Sequence, residues 1–252
     1  MDRCRVFPSS DAVFTLDEVV PWGRSFGEYQ RMFALTDADM GLRILGCADG
    51  PASFNAAATR RGMRVTSCDP MYRCEAAEIR QRIAATYDTV LEQTRKNAAE
   101  FVWTAITSVE ELGAMRMAAM TEFLDDYDRG KEEGRYLDAA LPALPFAGGS
   151  FDVALCSHFL FLYSTQLGQT FHRAALDELC RVAAEVRIFP LLALGGYRSP
   201  LVEENVERLR GAGFELTVER VPYEFQRGGN EMMRIRRRSL ARAFAEKQIR
   251  GA

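Results

Sequence analysis

A strand followed by a glycine-containing turn constrains the fold of this chain more than any other feature. Residues 42–46 form a strand-like run, and Gly46-Cys-Ala-Asp-Gly50 predicts a tight turn after it. Pro51 is then a favourable first helical residue, because proline has no N–H to leave unbonded there. A second strand at 64–68 ends at Asp69. This order predicts a βαβ unit that binds a nucleotide, with Asp69 near the ribose.

The spacing of the glycines indicates which nucleotide fits. A dinucleotide-binding turn that began at Gly46 would have further glycines at 48 and 51, where this chain has Ala48 and Pro51. Asp69 nevertheless lies 19 residues after Gly50, close to the roughly 20-residue spacing of a ribose-binding acid. We therefore expect this turn to bind the pyrophosphate of NAD poorly. A nucleoside without phosphate, such as S-adenosylmethionine (SAM), fits better.

Composition excludes several other classes of protein. The chain has 252 residues, of which 48% are hydrophobic and 27% charged, and its formal net charge of -3 gives no general attraction to nucleic acid. Its six cysteines form no C-x-x-C pair, so we expect no iron–sulfur cluster or other metal site, and three of them lie in or at the ends of apolar strand-like runs, where we expect reduced core thiols. No signal peptide and no apolar run of ~18 residues is present. We expect a cytoplasmic protein without membrane or nucleic-acid partners, and leave its oligomeric state open.

The order of the predicted elements indicates one domain over residues 1–252. Its first part is an N-terminal cap segment, 1–40. More than 60 residues separate Asp69 from the next strand-like piece, 135–137, far more than a crossover needs. The helical patterns within that stretch predict a helical insertion at 73–130 that forms a lid. The later strand-like segments lie at 151–156, 185–192, 214–225 and 231–236, the last two as a hairpin.

Two further motifs make the chain similar to the class I SAM-dependent methyltransferases. That family has a glycine-rich turn after strand one, an acid after strand two and a Leu-Pro-Phe…Ser-Phe-Asp-Val run into strand four. The counterparts here are Gly46–Gly50, Asp69, Leu144-Pro-Phe146 and Ser150-Phe-Asp-Val153. The particular strings around strand four and the hairpin resemble an uncharacterised bacterial branch of the superfamily.

The similarity covers residues 40–70 and 135–236, and the chain departs from the family's pattern at two positions. Ile44 replaces the acid before the first glycine, and Ala48 replaces the middle glycine. Asp49 is a candidate to take over from the missing acid by facing the methionine ammonium group. The family's adenine-binding acid would fall on Ala140, and Asp138 is the nearest carboxylate.

The resemblance implies an α/β fold: a Rossmann-like, doubly wound, mostly parallel sheet with an antiparallel C-terminal hairpin and the helical lid. It implies SAM as cofactor and methyl transfer to an O, N or C nucleophile, and the lid favours a small-molecule substrate. Three alternatives stay open. They are a non-catalytic SAM-binding regulatory or scaffold protein, an RNA or protein methyltransferase, and an NAD-dependent oxidoreductase.

Candidate site residues follow from position and resemblance together. His158 comes directly after strand four, at the edge of a parallel sheet where ligands bind, and is either a general base or substrate orienter or a structural histidine beneath the lid. Trp22, Tyr29 and Trp103 are expected to contact substrate. The residues expected to bind the cofactor are Gly46, Cys47, Ala48, Asp49, Gly50, Asp69, Pro70, Asp138 and Ser157.

Overall fold

A computed structural model describes residues 21–238 of the chain. The first half of the expected cap segment, residues 1–20, therefore lies outside the described residues. The strands within them are β1 Arg43–Cys47, β2 Arg64–Cys68, β3 Tyr136–Leu137, β4 Phe151–Ser157, β5 Ala183–Phe189, β6 Phe214–Arg220 and β7 Glu231–Arg237. The α-helices are α1 Phe26–Met32, α2 Phe54–Arg60, α3 Ala76–Lys96, α4 Val109–Glu132, α5 Ser164–Val182 and α6 Leu201–Gly211.

The strands form a seven-stranded sheet in the order β3-β2-β1-β4-β5-β7-β6. The first five strands in that order run parallel, and β7 pairs antiparallel with both β5 and β6. The order reverses between β1 and β4, which is where an open α/β sheet leaves a crevice for a ligand. The prediction of a doubly wound, mostly parallel sheet with an antiparallel C-terminal hairpin is confirmed.

Several predicted boundaries shift. Pro51 lies in the turn rather than at a helix start, because Ser53 N–H donates to Arg24 O (3.0 Å) and α2 begins only at Phe54. β5 ends at Phe189, one residue before Pro190, since proline cannot continue the ladder as a donor. The first hairpin strand also ends early, at Arg220, and residues 221–230 form a loop. Phe225 O in this loop accepts from Val102 N–H (2.7 Å), which lies between α3 and α4.

The segment predicted as a helical insertion contains the two longest helices, α3 and α4, which pack against each other. The sequence Ser108-Val-Glu-Glu111 stands at the start of α4, and only half of the corresponding capping box forms. Glu111 N–H donates to Ser108 Oγ (3.0 Å), but the Glu111 carboxylate accepts from Thr107 N–H (2.7 Å) instead of from Ser108. Ser108 is therefore the N-cap of α4, and the Glu111 carboxylate holds Thr107, the residue before the cap.

Surface features bear on partners. No helix within residues 21–238 is both long and apolar enough to span a bilayer. Within the basic run Arg234-Ile-Arg-Arg-Arg238 at the end of the hairpin, Arg234 bonds the carboxylates of Glu185 (2.5 Å) and Glu219 (2.8 Å), and Arg236 also bonds Glu185. These two arginines form cross-strand ion pairs, which favours a structural role for them over nucleic-acid binding.

Candidate active site

A cavity of about 350 Å³ lies at the carboxyl ends of β1, β2 and β4, which is large enough for a small-molecule ligand. The turn after β1 and Asp69 after β2 line one side of it. His158 and the residues after β4 line another. The cover is built from residues 21–29, the lid helices α3 and α4 and the β6–β7 loop.

The turn after β1 is held in shape by hydrogen bonds from its backbone N–H groups to the end of β2 and to Asp69. Ala48 and Gly50 both have positive φ, at 56° and 54°. Ala48 N–H donates to Cys68 O (2.9 Å), and Gly50 N–H donates to Asp69 Oδ2 (2.9 Å). A Cβ on Gly50 would meet only Met71 Sδ, at 3.9 Å, so the turn leaves open space there. Alanine at 48 is therefore compatible with a turn that admits a ligand.

Asp69 stands at the end of β2, half-buried, and lines the cavity as expected. Its Oδ1 accepts from Met71 N–H (2.9 Å), while Oδ2 accepts from Gly50 N–H. Burial raises the pKa of this carboxyl, and the two backbone hydrogen bonds oppose that rise. Each oxygen keeps a lone pair, so the group can also accept hydrogen bonds from a ligand.

Asp49 is only 7% exposed. Its Oδ1 accepts from the Tyr29 hydroxyl (2.9 Å), and its Oδ2 accepts from the Ser67 hydroxyl (2.6 Å). Burial raises the pKa of Asp49 to about 6, with the two hydroxyl donors acting in the opposite sense. The side chain folds back over Gly46, where a Cβ would fall 1.8 Å from Oδ2. Gly46 is thus required for the position of this carboxylate.

His158 follows β4 with a positive φ of 50°, and its N–H donates to Phe189 O (2.6 Å). The Nδ1 atom and the Ser157 hydroxyl are hydrogen-bonded at 2.9 Å. Burial, and then the positive charges of Arg24 and Arg116, hold the pKa of His158 well below its usual range. The imidazole is therefore neutral near pH 7. Both Ser157 and His158 line the cavity.

A buried cluster ties three parts of the cover together. Glu28 of α1 accepts from Arg116 Nη1 at both carboxylate oxygens (2.7 Å each), and both side chains are 1% exposed. The Tyr223 hydroxyl, from the β6–β7 loop, also donates to Glu28 (2.9 Å). Burial alone would raise the pKa of Glu28, but the positive charge of Arg116 and its hydrogen bonds lower that pKa to about 2. We call Glu28, Arg116 and Tyr223 the cover cluster.

Four of the expected residues do not line the cavity. Gly46 and Cys47 lie in β1 beneath the turn, where Cys47 is buried. Asp138 is exposed and faces Arg73 (3.8 Å), so the adenine-binding role expected for it is corrected, and the neighbouring Ala140 lines the cavity in its place. Trp103 packs edge-on against Phe225, with ring centroids 5.4 Å apart, and supports the lining from behind.

The other expected residues lie together. Trp22, Tyr29 and Pro70 line the cavity, Tyr29 being stacked on Phe54 with centroids 4.4 Å apart. His172 of α5 is fully buried with both ring nitrogens hydrogen-bonded to backbone carbonyls, which indicates a structural histidine.

The cover cluster was missed by sequence reasoning. One signal existed: Leu112, Arg116 and Met120 are spaced by four residues on one face of α4, and all three are buried. A charged residue on an otherwise apolar helix face indicates a buried partner. The partner itself, 88 residues earlier in the chain, gave no local signal. The apolar side of the cavity was missed too, and it includes Phe159, Leu162, Tyr163, Phe171, Leu194 and Phe225.

Sequence comparison gives a relative of nearly equal length. An uncharacterised protein of Methanocaldococcus jannaschii, MJ0045, is 33% identical over 225 residues, which cover 88% of this chain and 98% of the archaeal protein. The chain belongs to the family of that archaeal protein. No family model matches the chain.

Structure comparison finds methyltransferases among the similar folds. The chain is similar to 1,6-didemethyltoxoflavin-N1-methyltransferase of Burkholderia thailandensis, at 16% identity over 79% of this chain and 72% of that one, with a TM-score of 0.45. Magnesium protoporphyrin IX methyltransferase of Synechocystis PCC 6803 follows at 13% identity, 80% and 73% coverage and a TM-score of 0.43. The 16S rRNA methylase RmtB is 17% identical, with 83% and 60% coverage and a TM-score of 0.38. The strand order of the sheet itself is that of the class I methyltransferase fold.

Proposed function

We propose that this protein is a SAM-dependent methyltransferase that acts on an O, N or C nucleophile of a small molecule. The observation that carries the proposal is one cavity, beneath a cover, in which Asp49, Asp69 and His158 meet at the switch point of the sheet. Strand ends and turns from three separate parts of the sequence supply these groups.

The residues present fit an adenosyl ligand. Asp69 can accept from ribose hydroxyls, and Asp49, which has no cationic partner among residues 21–238, suits an ammonium group. The turn offers little to a pyrophosphate, because the N–H groups of Ala48, Gly50 and Ser53 are already bonded and Pro51 has none. SAM is therefore favoured over NAD as the cofactor.

SAM supplies a methyl group that its sulfonium has already activated, so the protein's main contribution is to position the acceptor. Tyr29 and Ser67 hold the Asp49 carboxylate, and the backbone of the turn holds Asp69. His158 is neutral and keeps Nδ1 on Ser157, which directs Nε2 to other partners. Because its pKa is low, His158 is a weak base, and we assign it mainly to orienting the acceptor.

The cover favours a small acceptor over a macromolecule. α4 contributes Leu112 and Arg116 to the lining, and the β6–β7 loop contributes Phe225 and Gln226. The cover cluster fastens these two elements to α1 by buried hydrogen bonds. A covered cavity with a largely apolar lining suits a small molecule, whereas an RNA or protein substrate needs an open groove.

Calorimetric titration tests the cofactor. S-adenosylhomocysteine (SAH) and SAM should bind the purified protein, and NAD should not. Asp69→Ala should weaken SAH binding by about 1–3 kcal/mol, since ribose hydroxyls lose a charged acceptor. Asp152→Ala is the matched control, because this acid pairs with Arg43 (2.8 Å) at the far end of β1. Binding of NAD without SAH, or an equal loss in both variants, would contradict the proposal.

A non-catalytic SAM-binding protein is the second candidate, because the low pKa of His158 makes it a poor base. His158→Ala separates the two. In an enzyme it should lower turnover while SAH affinity stays nearly unchanged. Tight SAH binding with no methyl transfer to any member of a broad small-molecule panel would favour a non-catalytic SAM-binding protein.

A further inference from the structure

Two arginines line the cavity beside the candidate orienting histidine. Arg24 comes from the segment before α1, and Arg116 comes from α4 of the lid. Both lower the pKa of His158, and Arg24 also lowers that of Tyr163, which places their charges on the side of the cavity formed after β4. We call Arg24 and Arg116 the arginine pair.

One carboxylate neutralises only half of this charge. Glu28 is fully engaged: it accepts from Arg116, from the Tyr223 hydroxyl and from Ser25 N–H (2.9 Å). Arg116 Nε is nonetheless buried without a hydrogen-bond acceptor among residues 21–238. Glu28 thus balances one of the two guanidinium groups and leaves part of the Arg116 donor set unused.

Arg24 has no ion pair among the described residues. Its Nη1 donates to Trp22 O at 3.3 Å, and its Nε is buried without an acceptor. The acids of the lining lie elsewhere: Asp49 and Asp69 belong to the strand ends, and Glu100 precedes α4 at the lid. A buried guanidinium without an ion pair is costly: burial and the Arg116 charge lower the Arg24 pKa, and Tyr223 and Glu28 offset this only in part.

We propose that the arginine pair is a carboxylate-binding subsite, and that the methyl acceptor supplies the carboxylate. Arg24 and Arg116 lie close to His158, and Phe159 and Tyr163 form apolar lining on the same side. The acceptor class is therefore an aromatic or similarly flat apolar acid. This inference rests on the proposed methyltransferase function. The other source of a carboxylate is the methionine tail of SAM itself, and the experiment distinguishes the two.

The test uses benzoate as an acidic aromatic probe and benzamide as its neutral counterpart, each titrated into the full-length protein saturated with SAH. Benzoate should bind at least about tenfold more tightly than benzamide. Arg24→Met keeps the apolar stem and removes the charge, and it should abolish this preference. Arg31→Met is the matched control, because Arg31 lies over the Tyr223 ring (5.8 Å) and outside the cavity lining. Equal binding of the two probes to the wild type would overturn the subsite.

A second comparison identifies the source of the carboxylate. SAH carries a methionine-type carboxylate, whereas 5′-methylthioadenosine does not. If the subsite serves the acceptor, Arg24→Met should change the affinity of both ligands by less than about twofold. A tenfold loss for SAH alone would assign the arginine pair to the cofactor and overturn the proposal. Failure of SAH to bind the wild type would instead defeat the proposed function, and SAH binding without benzoate preference would defeat only the subsite.

Thermal unfolding without ligand gives an independent readout. An arginine kept for binding destabilises the empty site, so Arg24→Met should raise the melting temperature while it removes the benzoate preference. Arg31→Met should change neither quantity. If Arg24→Met lowers the melting temperature, Arg24 is a structural residue, and the proposal is overturned.

Discussion

The floor and the cover of the cavity are held in place by different kinds of contact. The floor is the turn at 48–52 together with the ends of β1, β2 and β4, and the cover is the segment before α1, the lid helices and the β6–β7 loop. Backbone hydrogen bonds between neighbouring strands hold the floor, as between Ala48 and Cys68. In the cover, a backbone hydrogen bond from Val102 N–H to Phe225 O (2.7 Å) joins the connection between α3 and α4 to the β6–β7 loop, while side chains join α1, α4 and that loop.

The cover cluster shows the difference most clearly. Arg116 and Glu28 are 88 residues apart in sequence, and Tyr223 and Glu28 are 195 apart. A single carboxylate thus joins α1, α4 and the β6–β7 loop. The floor is held mainly by contacts between neighbouring strands, whereas α1, α4 and the β6–β7 loop meet at one buried charge. We therefore expect loss of that charge to displace the cover more than the floor.

Glu28→Gln should have the largest effect on stability. It leaves Arg116 buried without its anion, which costs about 3–5 kcal/mol. For a chain of this size, that lowers the melting temperature by at least about 6 °C. Arg95→Gln is the control, because its ion pair with Glu110 (3.0 Å) also holds α4, here to α3, but is exposed. Similar shifts in the two variants would show that the cover does not depend on the buried charge.

Asp49 makes the floor sensitive to pH. Its folded-state pKa of about 6 is above its usual value, so between about pH 4 and 6 the folded protein binds more protons than the unfolded chain. Stability should therefore fall as pH rises through this window, by up to about 3 kcal/mol, and level off above it. Urea unfolding at several pH values measures this loss. Asp49→Asn should remove most of it, because the raised pKa of Asp69 contributes a loss of the same sign, and an unchanged slope in that variant would assign the effect to other groups.

The same contrast explains what could be predicted from sequence. The strand at 64–68 was predicted with its observed bounds, and the turn and Asp69 were placed correctly, because glycine spacing and strand patterns are local signals. The lid was predicted as helical for the same reason. Most of the floor could therefore be predicted from the sequence alone.

Long-range pairing was not predictable in this way. Nothing near Glu28 in the sequence points to Arg116. Residues 221–225 were predicted to continue a strand, but in the structure they belong to a loop in which the Tyr223 hydroxyl donates to Glu28. Asp138 was chosen by its distance from a motif, but its side chain faces Arg73 on the surface. Sequence distance gives a position along a strand, and side-chain direction depends on neighbours that are remote in sequence.

Ser108→Ala should have the smallest effect. It distinguishes the contribution of the α4 cap from that of the contact between Arg116 and Glu28. Ser108 caps α4 by accepting from Glu111 N–H (3.0 Å), and loss of such a cap costs about 1 kcal/mol. Chemical unfolding should show that loss, while SAH affinity should stay unchanged, because Arg116 lies two turns further along α4 and remains bonded to Glu28. Ser150→Ala, in an exposed turn before β4, serves as the control. A drop in SAH affinity with Ser108→Ala would mean that the end of the helix, and not the buried charge, positions the cover.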